Sequence, residues 1–72
     1  MDRRIAELLM RDFLELGSPL NSATLTTNEI INKEEREHFR KGIGTVMNAI
    51  YTELMMPIIR QFPDLDPDRA KP

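Results

Sequence analysis

The stretch Phe39-Arg-Lys-Gly-Ile-Gly-Thr-Val-Met-Asn-Ala-Ile-Tyr-Thr-Glu-Leu-Met-Met-Pro-Ile-Ile-Arg-Gln-Phe62 decides the fold. Between Lys41 and Arg60 its only charge is Glu53. At ~100° per residue, Phe39, Ile43, Val46, Met47, Ile50, Leu54 and Ile58 form one broad apolar stripe on a helix. A second stripe, ~130° round the same wheel, holds Gly42, Thr45, Ala49, Thr52 and Met56. These are mostly small residues, over which another helix backbone can come close. Two such faces predict two neighbours. Pro57 removes one amide and frees the Glu53 carbonyl, which predicts a kink or a break there, and Pro63 ends the helix.

Upstream of this stretch the helical pattern extends back to Lys33 through charge-dense turns, with Glu37 and Lys41 at the favoured i, i+4 spacing. Thr26 with Glu29 and Asn32 with Glu35 both have capping-box spacing. The later start is preferred, with residues 28–31 as a turn. Gly17 to Asn32 reads as a long connection, since most helix–helix links run ~2–8 residues. Within it, Ser18-Pro19 suits a single capped helical turn, and the β-branched run from Thr24 to Thr27 favours an extended segment. Met1 to Leu16 is an amphipathic helix whose stripe is Ile5, Leu8, Leu9, Phe13 and Leu16, with Gly17 as the expected left-handed terminator. Downstream, residues 64–72 carry three Asp and two Pro and read as a flexible acidic C-terminal tail.

The expected fold is therefore all-α: a single helical domain over residues 1–63, built as a helical hairpin of short helix, long connection and long Pro-kinked helix. The first helix is too short to cover both stripes of the second. An uncovered apolar face is something monomers avoid, so the chain is expected to be a homodimer in a four-helix arrangement. The expected dimer interface is Gly42, Thr45, Ala49, Thr52, Glu53 and Met56. Size agrees, because below ~70–80 residues a lone core rarely supplies more than ~3–5 kcal/mol. The 72 residues include no cysteine and one histidine, which leaves oligomerisation, rather than disulfides or a transition metal, as the supplement.

Other site readings are sparse. Asp12 projects into the first helix's apolar stripe and Arg36 into the second's. A hairpin with Leu16 level with Lys33 would bring them together as an ion pair that sets register. Glu53 lacks a second titratable group for acid–base work. Asp64-Leu65-Asp66-Pro67-Asp68 opens like a calcium loop but lacks its sixth-position glycine and twelfth-position glutamate. No cofactor, metal or catalytic constellation is expected. A net charge of −2 and a pI near 5.3 give no global attraction to nucleic acid or membrane. Glu53, Asn48 and Pro57 also argue against the apolar run crossing a bilayer. Without cysteine or a signal sequence, the expected compartment is the cytoplasm. The expected function is a non-enzymatic protein-interaction module, an adaptor or regulator with a protein partner. The alternative is a dimeric RNA- or DNA-binding regulator using Arg36, Arg40 and Lys41.

Overall fold

Two helical arms lie antiparallel in the computed structural model, which describes residues 1–68. The first arm is α1 (Arg3–Glu15), α2 (Gly17–Thr26) and a 3₁₀ turn at Thr27–Glu29. The second is α3 (Lys33–Ala49), a π-helical turn at Ile50–Met55 and α4 (Met56–Gln61), followed by a 3₁₀ turn at Pro63–Leu65. No strand occurs among the described residues. The fold is an all-α hairpin of two long arms whose true link is Ile30 to Asn32.

Contacts across the arms set their register. At the open end, the Met1 ammonium donates to Gln61 Oε1 at 3.1 Å, and Arg3 Nη1 donates to Asp64 Oδ1 at 3.3 Å. At the tip, Arg40 Nε donates to Thr27 Oγ1 at 3.2 Å and Arg36 Nη1 to the Ile30 carbonyl at 3.1 Å. The capping at Asn32 explains where the turn ends: its side chain accepts the Glu35 amide at 2.8 Å, the later of the two expected starts.

The expected long connection is helix instead, and Thr24–Thr27 is not extended. The local reason is that each threonine hydroxyl finds a backbone acceptor within the helix. Thr24 Oγ1 donates to the Leu20 carbonyl and Thr26 Oγ1 to Ser22, both at 3.0 Å, and Thr27 Oγ1 donates to Thr24 at 2.6 Å. The tertiary reason is periodic. From Ala6 to Thr27 the buried and half-buried residues, Leu9 aside, are Ala6, Met10, Phe13, Gly17, Leu20, Thr24 and Thr27. Their spacing alternates four and three, the seam of an antiparallel coiled-coil pair. Packing of that seam overrides the weak propensity of glycine and threonine.

Gly17 does not terminate α1 in the left-handed region, since no glycine here has positive φ. Pro19 causes the interruption: it cannot bond the Glu15 carbonyl and its ring crowds that oxygen. Leu16, at φ −68° and ψ −20°, stays right-handed, and its amide bonds the Phe13 carbonyl at 3.2 Å. The arm thus loses one rung of its ladder without unwinding.

The second arm repeats the seam through Arg36, Arg40, Ile43, Met47 and Ile50. From Ile50 the next seam residue is Met55, five positions on rather than four, followed by Ile58 and Phe62. The π-turn supplies the extra residue, with the Met56 amide bonding back to the Tyr51 carbonyl. Pro57 is its cause. A proline there forbids the α-helical bond to Glu53 and crowds that carbonyl, and the wider turn relieves the crowding. Everything beyond is rotated by about one residue, ~100°. Met55 is therefore buried, while Leu54, expected on the main stripe, is exposed.

The core sits at the open end. Ala6, Met10, Met55, Ile58 and Ile59 are buried, with Leu9, Phe13, Ile50, Met56, Phe62 and Leu65 packed against them. Neither α2 nor α3 has a buried residue. The first residues of the expected tail belong to this packing. Arg3 pairs with Asp64, its guanidinium carbon lies 5.6 Å from the Phe62 ring centroid, and Leu65 is half-buried. Hydrogen bonding to Asp64 first, then that carboxylate's charge, raises the Arg3 guanidinium above its ordinary value. The rest of the expected tail, residues 69–72, lies outside the described residues.

Candidate functional site

A two-helix hairpin is one layer thick, so each arm has one covered side and at least two open ones. The radius of gyration is 15.1 Å over extents of 46 × 23 × 20 Å, against ~11 Å for a compact chain of this length. Helical period assigns the uncovered residues to faces. On the first arm Ile5, Leu16 and Ala23 are spaced 11 and 7 residues apart and fall on one line. On the second arm Phe39 and Val46 are one heptad apart, and Leu54 follows after a heptad plus the π residue. Antiparallel packing puts both lines on the same side of the hairpin. Consistent with this, Ala23, Thr26, Thr27 and Ile30 line one open groove together with Phe39 and Ile43.

This side is called the front face. Its five large residues, Ile5, Leu16, Phe39, Val46 and Leu54, are each between 41% and 50% exposed, and half-buried Leu9, Ile43 and Ile50 lie at their feet. Between Ile5 and Ala23 on one arm and Phe39 and Leu54 on the other, its one ionisable residue is Asp12. The back face is different. There Leu65 lies beside Met10, Glu7 and Leu14, and Phe13, Leu14 and Gly17 line a depression with Met47 and Met55.

The residues expected at the dimer interface do not form one stripe. Gly42 and Ala49 border the front face, whereas Thr45, Thr52 and exposed Glu53 lie on the outer side of the arm. Thr45 and Thr52 hydroxyls donate to the Lys41 and Asn48 carbonyls at 3.0 and 3.1 Å, which satisfies them within the helix. Met56, rotated by the π-turn, packs against the core instead.

Asp12 and Arg36 are not brought together. The expected register placed the turn too early in the chain. In the observed one Asp12 is level with Leu54, which puts Arg36 ~27 Å away along the arm at 1.5 Å per residue. Asp12 Oδ1 accepts from Arg11 Nη2 at 3.2 Å, and Arg36 is spent on the Ile30 carbonyl. Arg40 is held by Thr27, Asn28 and, at 3.8 Å, Glu37. Of the expected basic trio, Lys41 alone has no hydrogen bond or ion pair from its side chain among those described. No helix of the described residues is long and apolar enough to cross a membrane.

Sequence reasoning missed the front face because it summed Ile43, Met47 and Ile50 with Phe39, Val46 and Leu54 as a single stripe. The signal was present in its width: a heptad seam is narrower than seven residues of stripe require. Comparison with protein-family models, with curated proteins and with solved structures finds no match to this chain.

Proposed function

We propose that the chain is a non-enzymatic interaction module, an adaptor or small regulator that works as a homodimer and docks a further protein. The observation that carries this reading is the mismatch between the hairpin's length and its core. Two arms reaching 46 Å are held by five buried apolar side chains, all at one end. A chain so built gains most from pairing with another helical layer, the usual solution for a helix with an open apolar side. The pairing proposed is a four-helix arrangement of two hairpins.

The nucleic-acid alternative draws less support. Two of its three cations, Arg36 and Arg40, are tied to the hairpin tip, Arg36 through Nη1 to the Ile30 carbonyl and Arg40 through Nε to Thr27.

Sedimentation equilibrium from one to several hundred micromolar tests the proposal. A mass of two chains is expected. A helical species that stays at 8.4 kDa throughout would remove the homodimer. Salt-dependent retention on RNA or DNA that is lost in Lys41→Ala would favour the alternative.

A further inference from the structure

We infer that the turn at Pro63–Leu65 is a displaceable strap over Met10, and that a peroxide which oxidises the Met10 thioether latches it open. The strap's attachment is the first argument. It has three residues and no side-chain cap. Phe62, at φ −133° and ψ 78°, is the non-helical joint through which it leaves α4. Its backbone bonds, from the Leu65 amide to the Phe62 carbonyl at 2.9 Å and from the Asp66 amide to the Pro63 carbonyl at 3.2 Å, lie inside the turn. Side chains therefore tie it to α1, through the Arg3–Asp64 pair and the packing of Leu65 on the core. Both members of that ion pair are about half exposed, the setting in which such a pair contributes little and is screened by salt. A short segment held this way opens locally at a lower cost than the whole hairpin unfolds.

What lies beneath is the second argument. Met10 is 4% exposed, and with Leu14 and Leu65 it lines a groove on the back face beside Glu7, Arg11 and Glu15. Met10 thus stands between the core and an open groove, with Leu65 next to it. Met55, the core's other buried methionine, borders a separate depression with Phe13, Leu14 and Met47, and Leu65 takes no part in that one. Opening the strap uncovers Met10 and not Met55, so the two thioethers together distinguish a local opening from loss of the whole core.

The chemistry of the latch follows from the surroundings. One peroxide oxygen passes to sulfur: the O–O bond breaks, an S–O bond forms, sulfur gives up two electrons, and water leaves. The product is a sulfoxide, a polar acceptor where an apolar group stood. The core residues clustered with Met10, Ala6, Met55, Ile58 and Ile59, have side chains without a donor. An acceptor buried among them without a partner carries a free-energy cost that turning into the groove avoids. On the groove side it meets water and the Arg11 guanidinium. Leu65 lines that same side, so re-docking of the strap is what the sulfoxide opposes. Reduction of the sulfoxide reverses the change.

The experiment is hydrogen peroxide oxidation of the full chain, with each methionine followed by peptide mass spectrometry. Met1, well exposed, is the reference. In the wild type Met10 should react at least about tenfold more slowly than Met1. In Arg3→Gln and in Leu65→Ser it should react several-fold faster than in the wild type, while Met55 keeps its wild-type rate. Limited proteolysis then reads the latch. Cleavage next to Leu65 should rise about fivefold or more on oxidation and fall back when a methionine sulfoxide reductase restores the thioether. It should not rise in Met10→Leu, a volume-conserving change that keeps the core. Met10 as reactive as Met1 in the wild type, an unchanged Met10 rate in both variants, or Met10 and Met55 accelerating together would each overturn the strap. Equal cleavage of oxidised wild type and oxidised Met10→Leu overturns the latch.

Discussion

Arg40 reaches across the hairpin tip to Thr27, thirteen positions away in the chain, and donates from Nε to its hydroxyl at 3.2 Å. Thr27 is the one buried polar residue among those described, and its hydroxyl is itself a donor to the Thr24 carbonyl. A second guanidinium nitrogen of Arg40 meets Asn28. The tip, which lacks a buried apolar side chain, is therefore closed by a chain of polar contacts.

Arg40→Ala should destabilise the hairpin by about 1 kcal/mol, below the usual value for a charge-assisted bond because the side chain is partly exposed. Arg40→Lys should recover less than half, since an ammonium cannot fork to Thr27 and Asn28 together. Urea unfolding at fixed protein concentration measures both, and an Arg40→Ala variant as stable as wild type would show that the tip contacts contribute nothing.

Gly17 and Gly44 have helical φ, and a Cβ at either would meet nothing within 4 Å. Gly17→Ala and Gly44→Ala should each raise stability by ~0.5–1 kcal/mol by reducing the freedom of the unfolded chain. Thermal melts read the change. A loss of stability in Gly17→Ala would mean that the arms cannot accept even a methyl at that seam position.

Ala6 is fully buried against the Met10, Met55 and Ile58 cluster. Ala6→Leu should cost ~1–3 kcal/mol by overpacking, whereas Met10→Ala should cost ~2–5 kcal/mol by leaving a cavity. Both are read by urea unfolding. Equal tolerance of both changes would contradict a close-packed open end.

Pro57→Ala restores an amide and removes the ring that crowds the Glu53 carbonyl. The π-turn should then close to α-helix, turning Leu54 toward the first arm and Met55 away from it. Peroxide oxidation followed by mass spectrometry should find Met55 slow in the wild type, where it is buried, and fast in Pro57→Ala. Unchanged protection would mean that packing, not proline, holds the turn.

The raised Arg3 guanidinium carries a sign for pH. A cation whose folded value lies above its ordinary one contributes at every pH below that ordinary value and loses the contribution only as pH rises through the folded value. From pH 5 to 9, Arg3 should therefore add no pH dependence to the docking of Asp64 and Leu65. Limited proteolysis near Leu65 at pH 5 and 9 checks this, and cleavage should speed up in Arg3→Ala at both.

Much of the fold was legible before the structure. The helix α1, the Asn32–Glu35 start and the interruption at Pro57 follow from residue types whose effect is local, but the expected α1 stripe was one position out of phase: Ala6 and Met10 are buried, while Ile5, Leu8 and Leu16 are exposed. The second half of the first arm was not legible, because Gly17, Thr24 and Thr27 carry no apolar signal. Their place in the seam appears only when counted from Ala6 and Met10 in steps of four and three. The candidate site was half legible. Phe39, Val46 and Leu54 stood out as apolar, but Phe39 and Val46 each sit one position before a seam residue, Arg40 and Met47, and Leu54 is turned outward only by the extra residue at the π-turn. The expected Asp12–Arg36 pair failed for the same cause as the expected connection: misplacing the turn misplaced every partner beyond it.

The π-turn also removes a degeneracy. Two arms joined by uniform heptads can slip past each other by seven residues, about 10 Å at 1.5 Å per residue, and find nearly equivalent knobs and holes. Here the five-residue step from Ile50 to Met55 occurs once, so a slipped pairing would set this wide turn against a span of the first arm that does not match it. A single proline, by spoiling the regularity of one helix, thus works with the contacts at the tip and the open end against a slipped pairing.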